Sequence, residues 1–226
     1  MKPGLIFDLD GTLVDSLQGI AASLNHGLSL AGQATHPLEA VRRFIGNGAK
    51  VLVQRGAPKE ADAGLLDTIG TAFAAHYDVH WPAGTLVYDG IQALLKSLQS
   101  RGYPLAVLSN KPHAFTVRMV AGVFPNIHFA AVFGQRAGIP HKPDPTGALE
   151  IAAALGVAPA DCIVIGDSTM DLETARHAGM RAIAVTWGFH DRERLIGAGA
   201  NELVADPAGL LEAIAGFSGS ARPPAC

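Results

Sequence analysis

Residues 5–12 read Leu5-Ile6-Phe7-Asp8-Leu9-Asp10-Gly11-Thr12. Three apolar residues in an unbroken run mark a strand covered on both faces, as in a parallel sheet flanked by helices. Two carboxylates then stand two residues apart where that strand leaves the sheet. Gly11 permits a sharp turn, and Thr12 with Asp15 has the spacing of a capping box for a following helix. A carboxylate directly after a buried strand needs a strong partner if it is to stay ionised. Taken alone, the pair also fits a simple turn and helix cap. An EF-hand loop does not fit, because counting from Asp8 puts leucine at the invariant glycine and Gly19 at the bidentate glutamate.

Beyond this stretch, Leu17, Ile20, Ala21, Leu24 and Leu28 recur at helical spacing. From there to about Pro82 the pattern is helical, with a helix start at Pro37-Leu38-Glu39 and a turn at Gly46-Asn47-Gly48. After Gly84 the texture changes. Apolar runs at 105–108, 130–133, 163–165, 182–185 and 203–204 alternate with helical segments. The alternation predicts an α/β fold, a doubly wound, mostly parallel Rossmann-like sheet with an inserted α-helical cap. The expected core is 1–15 with 83–226, the cap 16–82, and 218–226 a flexible tail.

In such sheets ligands bind beyond the carboxyl ends of the strands. The polar residues at those ends are Asp8 and Asp10, then Ser109 and Asn110, then Asp167 in Gly166-Asp167-Ser168-x-x-Asp171. Lys142 lies in the loop beyond the run at 130–133. Asp167 and Asp171 fit a helix N-cap and first-turn acid equally well. With Asp8 they also offer hard oxygen donors and no histidine or cysteine pattern, which favours magnesium over zinc. Ser109 and Asn110 fit either a cap for the helix opening at Pro112 or donors to phosphoryl oxygens.

Composition bounds the partners. The 226 residues are 49% hydrophobic and 16% charged, with a formal charge of −3. This describes a well-buried globular protein with no electrostatic pull toward nucleic acid or anionic membrane. Two cysteines make no disulfide framework, and no apolar stretch approaches a bilayer span, so a soluble cytoplasmic protein is expected, monomer or homodimer.

The order and placement of these motifs resemble the haloacid dehalogenase superfamily of aspartate-nucleophile phosphotransferases. Its four motifs are matched by Asp8-Leu9-Asp10-Gly11-Thr12, Ser109-Asn110, Lys142-Pro143 and Gly166-Asp167-Ser168-Thr169-Met170-Asp171. The resemblance extends over nearly the whole chain, with a helical C1-type cap, and is greatest to phosphoglycolate phosphatases, whose cap segment is echoed by Phe44-Ile45-Gly46-Asn47-Gly48-Ala49 with Arg55 downstream. It implies that Asp8 attacks phosphorus and that Asp10 gives and then takes the proton. It implies Mg2+ held by Asp8, the Asp10 backbone and Asp167, with Asp171 ligating or acting from behind. Thr12, Ser109, Asn110 and Lys142 would bind the phosphoryl group. Arg43, Gly46, Asn47 and Gly48 of the cap, with Arg42, Lys50 and Arg55 nearby, would select a small phosphorylated metabolite.

Asp10 separates this chain from the superfamily's dehalogenases and phosphonate-cleaving members, which lack the second aspartate. Mutases share all four motifs. Gly166-Asp167-Ser168 also begins the signature of certain serine esterases, but the late Asp-x-x-His pair and the Gly-x-Ser-x-Gly elbow are missing. A non-catalytic binding protein on the same fold remains a further alternative.

Overall fold

The computed structural model describes residues 2–219. In chain order the elements are β1 (Gly4–Phe7), β2 (Val14–Asp15), α1 (Leu17–Leu30), α2 (Leu38–Arg42), α3 (Gly48–Gly56), α4 (Ala63–His80), β3 (Leu86–Val87), α5 (Ile91–Ser100), β4 (Leu105–Pro112), α6 (His113–Val123), β5 (Ala131–Gln135), α7 (Thr146–Leu155), β6 (Cys162–Gly166), α8 (Thr169–His177), β7 (Arg181–Val185), α9 (Arg192–Gly197), β8 (Leu203–Val204) and α10 (Pro207–Gly219). Six strands form one parallel sheet in the order β5-β4-β1-β6-β7-β8. The chain winds one way from β1 through β4 to β5 and the other way through β6, so the switch point falls beside β1. Asp8 therefore leaves the sheet at its crevice.

Both faces of β1 are covered, and its side chains alternate between them. Leu5 and Phe7 pack with Ile91, Leu95 and Leu98 of α5 and with Leu210 and Ile214 of α10. Ile6 packs on the other face with Ala148 and Ile151 of α7 and Ala175 of α8. Leu5, Ile6 and Phe7 are each 0% exposed, which stabilises the fold by roughly 1.5–3 kcal/mol per side chain before entropy is charged. In the cap, Leu24 and Leu28 of α1 join Ile69 and Phe73 of α4 in the same apolar cluster. Among the described residues, no helix is long and apolar enough to cross a membrane.

The structure departs from sequence expectation in four places. Thr12 and Asp15 form no capping box. Val14 and Asp15 instead pair antiparallel with Leu86 and Val87, and α1 begins after Ser16. Two-residue strands are too short to leave a periodic signal. A capping box does form elsewhere, at Ser168 and Asp171, so that the N-cap of α8 is Ser168 and not Asp167. The short helix α9, capped by Asp191 accepting from the Arg194 N–H, also had too few apolar repeats to read. Finally, α10 continues through Gly219, past the expected start of the tail at Ser218; residues 220–226 lie outside the described residues.

Candidate active site

The loop after β1 curls tightly. Leu13 and Val14 N–H both donate to the Leu9 carbonyl, and Gly11 N–H donates to the Val14 carbonyl. Gly11 has φ +89°, and a Cβ there would lie 2.3 Å from Asp167 Oδ2. No other residue type satisfies both conditions. With Leu9 turned fully into the core, Asp8 and Asp10 face a cavity of about 110 Å3.

Asp8 Oδ1 accepts from Lys142 Nζ at 2.9 Å and from the Leu9 N–H at 2.7 Å. Among the described residues nothing donates to Oδ2. Lys142, 5% exposed, also donates to Asp171 Oδ1 at 2.7 Å and to the Leu108 carbonyl at 3.2 Å. Burial by itself would lower the Lys142 pKa, but Asp171 and Asp8 outweigh it and the net direction is upward. Asp8 is raised well above the usual carboxylate range, first by burial, with Lys142 opposing and Asp171 and Asp167 adding repulsion. Asp167 is pushed up to about 7 by burial and then by Asp171, against the opposing Phe189 N–H and Thr12 hydroxyl.

Three carboxylates thus crowd together, and Lys142 pairs with two of them, Asp8 and Asp171. One oxygen from each of Asp8, Asp167 and Asp171 lies within 4.8 Å of the others. A divalent cation would offset that crowding, and the all-oxygen donor set suits a hard ion. Asp171 is the least available of the three: Oδ1 is taken by Lys142, and Oδ2 by the N–H and hydroxyl of Ser168.

Asp10 has separate company. Lys111 Nζ reaches its carboxylate at 2.8 and 3.1 Å, and Ser16 Oγ donates to Oδ1 at 2.6 Å. Lys111 also donates to the hydroxyl of Tyr77, a cap residue on α4, at 3.1 Å. Burial would lower the Lys111 pKa, but Asp10 and Tyr77 raise it overall, so it stays a cation. Lys111 was not singled out from the sequence, although it directly follows Ser109-Asn110 at a strand end. Its role depends on a contact across 101 residues, which spacing does not reveal.

Asp8, Asp10, Ser109, Asn110, Lys142, Asp167, Gly46 and Gly48 all line the one cavity. Other expected roles change. The Thr12 hydroxyl donates to Asp167 Oδ1 at 2.9 Å and is fully buried, so it orients a carboxylate rather than facing phosphate. The Asn110 amide is consumed structurally: Oδ1 accepts from Lys142 N–H, and Nδ2 donates to the carbonyls of Lys142 and Gly46. Only its backbone is left for a ligand. Ser109 Oγ accepts from Lys111 N–H, which leaves its own proton free to donate.

The cap cations do not enter the cavity. Arg43 is exposed at the end of α2, because adjacent helical residues point about 100° apart. Arg42 instead straps cap to core through the carbonyls of Gly188 and Phe189, at 2.7 and 3.1 Å. Arg55 donates to the Phe44 carbonyl and to Asn47 Oδ1, and Asn47 Nδ2 reaches the Met170 sulfur. Lys50 is exposed. The cap wall is Ile45, Ala49, Leu52, Phe73 and Ala74 around the two glycines, with Tyr77 its one polar side chain among the described residues. Among the described residues Ser168 has no histidine partner: its hydroxyl serves Asp171, and His190 Nδ1 accepts from the Thr169 N–H. An esterase nucleophile is thereby excluded.

Comparison with known proteins follows the same lines. The family model described as haloacid dehalogenase-like hydrolase matches residues 5–185. The phosphoglycolate phosphatase of Mesorhizobium japonicum is 31% identical over 194 residues, covering 84% of this chain and 86% of that protein. Phosphoglycolate phosphatase 1 of Pseudomonas aeruginosa is 35% identical, covering 82% of this chain and 70% of the relative. A crystal structure from Lactobacillus delbrueckii subsp. bulgaricus, provisionally designated a phosphoglycolate phosphatase, superposes with a TM-score of 0.89 at 31% identity over 95% of this chain and 99% of that one.

Proposed function

The chain belongs to the haloacid dehalogenase-like hydrolases, and on that premise we propose that it hydrolyses a small phosphomonoester, 2-phosphoglycolate, through an aspartyl-phosphate on Asp8. One observation carries the chemistry: Asp8 has one oxygen fixed by Lys142 and the other open to the cavity, beside a second carboxylate fixed by a different lysine. Asp8 Oδ2 attacks phosphorus while the bond to the leaving oxygen breaks, and Asp10 gives that oxygen its proton. Asp10 then takes a proton from the water that attacks the aspartyl-phosphate, which regenerates Asp8 and releases phosphate. Lys111 and Ser16 hold Asp10 in place, and the lysine charge stabilises the carboxylate that remains after proton donation. Lys142 and the Ser109 hydroxyl stand where charge develops on the transferring group.

A magnesium ion, when bound by Asp8, Asp167 and the Asp10 carbonyl, would supply charge neutralisation to the phosphoryl oxygens. Asp171 acts from behind, holding Lys142 and the start of α8. The substrate assignment is supported by the named relatives and by the small size of the cavity. Phosphate release across 2-phosphoglycolate, sugar phosphates, nucleotides and pyrophosphate, each with magnesium, tests it. The expected result is a preference for 2-phosphoglycolate that EDTA abolishes and added magnesium restores. Equal turnover of many sugar phosphates with poor turnover of 2-phosphoglycolate would sink the substrate; turnover indifferent to EDTA would sink the metal.

A further inference from the structure

A phosphorylated hydroxy acid carries a second anion, and no cap cation faces the cavity to receive it. Two groups of neutral donors do. The first is the start of α3. Gly48 opens this nine-residue helix at φ +81°, and Asn47 makes no side-chain cap bond. The N–H groups of Gly48 and Ala49, both of which line the cavity, find no acceptor among the described residues. Such uncapped N–H groups hold the positive end of the helix and favour an anion. A Cβ at Gly48 would lie 2.8 Å from the His141 ring and 3.1 Å from the Asn110 carbonyl, so only glycine lets the cap backbone come this close to the core.

The second is His190, in the loop after β7. It is 7% exposed and lines the cavity together with Gly46, Gly48 and Ala49. Its Nδ1 accepts from the Thr169 N–H at 3.2 Å, which fixes the ring proton of the neutral form on Nε2. That Nε2 has no partner among the described residues and faces Gly46, 4.0 Å from where a Cβ at that position would sit. Burial, then Arg194, pushes the His190 pKa down to about 4, with Asp171 and Asp191 opposing and Arg55 adding. The ring is therefore neutral at physiological pH, a donor without charge.

Resting on the proposed phosphatase activity, we propose that His190 Nε2–H and the uncapped N–H groups at the start of α3 together bind the substrate carboxylate. The selected class is then the phosphoester of a short hydroxy acid rather than of an alcohol or sugar. The site is split, with His190 on the core and the α3 N–H groups on the cap, so an anion bound between them ties the two closed over Asp8. Donors aimed at an anion form charge-assisted bonds, roughly twice as strong as those a neutral hydroxyl would accept in its place.

The experiment compares kcat/KM for 2-phosphoglycolate with that for 2-hydroxyethyl phosphate, which replaces the carboxylate by a hydroxymethyl group. Wild type should prefer 2-phosphoglycolate, and His190→Phe should lower that preference by roughly 10- to 100-fold, the worth of one hydrogen bond to a charged group. His190→Gln, which keeps a donor in the ring's place, should recover part of it. Wild type without the preference overturns both the substrate class and this site. Wild type with the preference, retained in His190→Phe, overturns the site alone. A fall in both substrates that leaves the ratio unchanged assigns His190 a structural role and likewise overturns the site.

Discussion

The two walls of the cavity are built from different physics. The core wall is ionic: three carboxylates and Lys142 in one group, Asp10 and Lys111 in another, each held by bonds that span up to 155 residues. The cap wall is apolar, with Leu52 and Phe73 beside glycine backbone and one tyrosine hydroxyl. Buried charges persist only where partners compensate them, so they must sit on rigid strand ends that hold those partners in place. An apolar wall needs no such compensation and can change shape or residue without stranding a charge. The charged groups are thereby fixed in the core, and the cap wall is free to vary.

That contrast can be broken at several points. Asp8→Asn should lower kcat by ~10^4-fold or more, since it removes the nucleophile. It also relieves crowding among carboxylates, so a thermal melt without metal should show no loss of stability. A large fall in Tm would mean that the ionic wall is structural first. Asp10→Asn should cost about 10^2- to 10^4-fold in kcat, the usual worth of positioned proton transfer, and pre-steady-state mixing should show slowed loss of the leaving group. If it costs less than tenfold, Asp10 is not the acid.

Tyr77→Phe removes the hydroxyl through which α4 accepts a hydrogen bond from Lys111. A drop in kcat of about 10-fold or less is expected. A loss as large as that of Asp10→Asn would show that the cap takes part in the chemistry and would dissolve the distinction between the walls. The smallest effect concerns His190. Its folded pKa of about 4 lies below the ordinary 6.5, so its contribution to stability is present above pH 6.5 and lost as pH falls toward 4. Melts from pH 7 to pH 4 should show wild type losing a few degrees more than His190→Gln. Parallel curves would mean that the ring titrates normally.

Residue order alone carried the α/β alternation, because strands covered on both faces and helices of period 3.6 leave their mark within a few residues. It also marked Asp8 and Asp167, with Asp10 beside the first, since polar residues directly after buried strands are expensive unless they are partnered; Lys142, in a loop well past a strand, was marked only by the order of the motifs. What it lacked were pairings made across the fold. The β2–β3 ribbon, with two residues per strand, was too short to leave any pattern. The tie of Lys111 to Asp10, the turning of Thr12 and the Asn110 amide to structural duty, and the departure of Arg42 to the Gly188 and Phe189 carbonyls all depend on which side chains meet at a switch point. His190 stood in plain view after a buried strand, yet its free Nε2 and the cap glycine opposite it exist only once cap and core meet. Asp8-Leu9-Asp10 by itself determined that two carboxylates leave a buried strand together, because a buried strand ending in carboxylates is a local property of the chain. Which charges stand beside that pair, and which neutral donors face it, only the tertiary structure decided, because hydrogen bonds and ion pairs select partners by distance in space and not along the sequence.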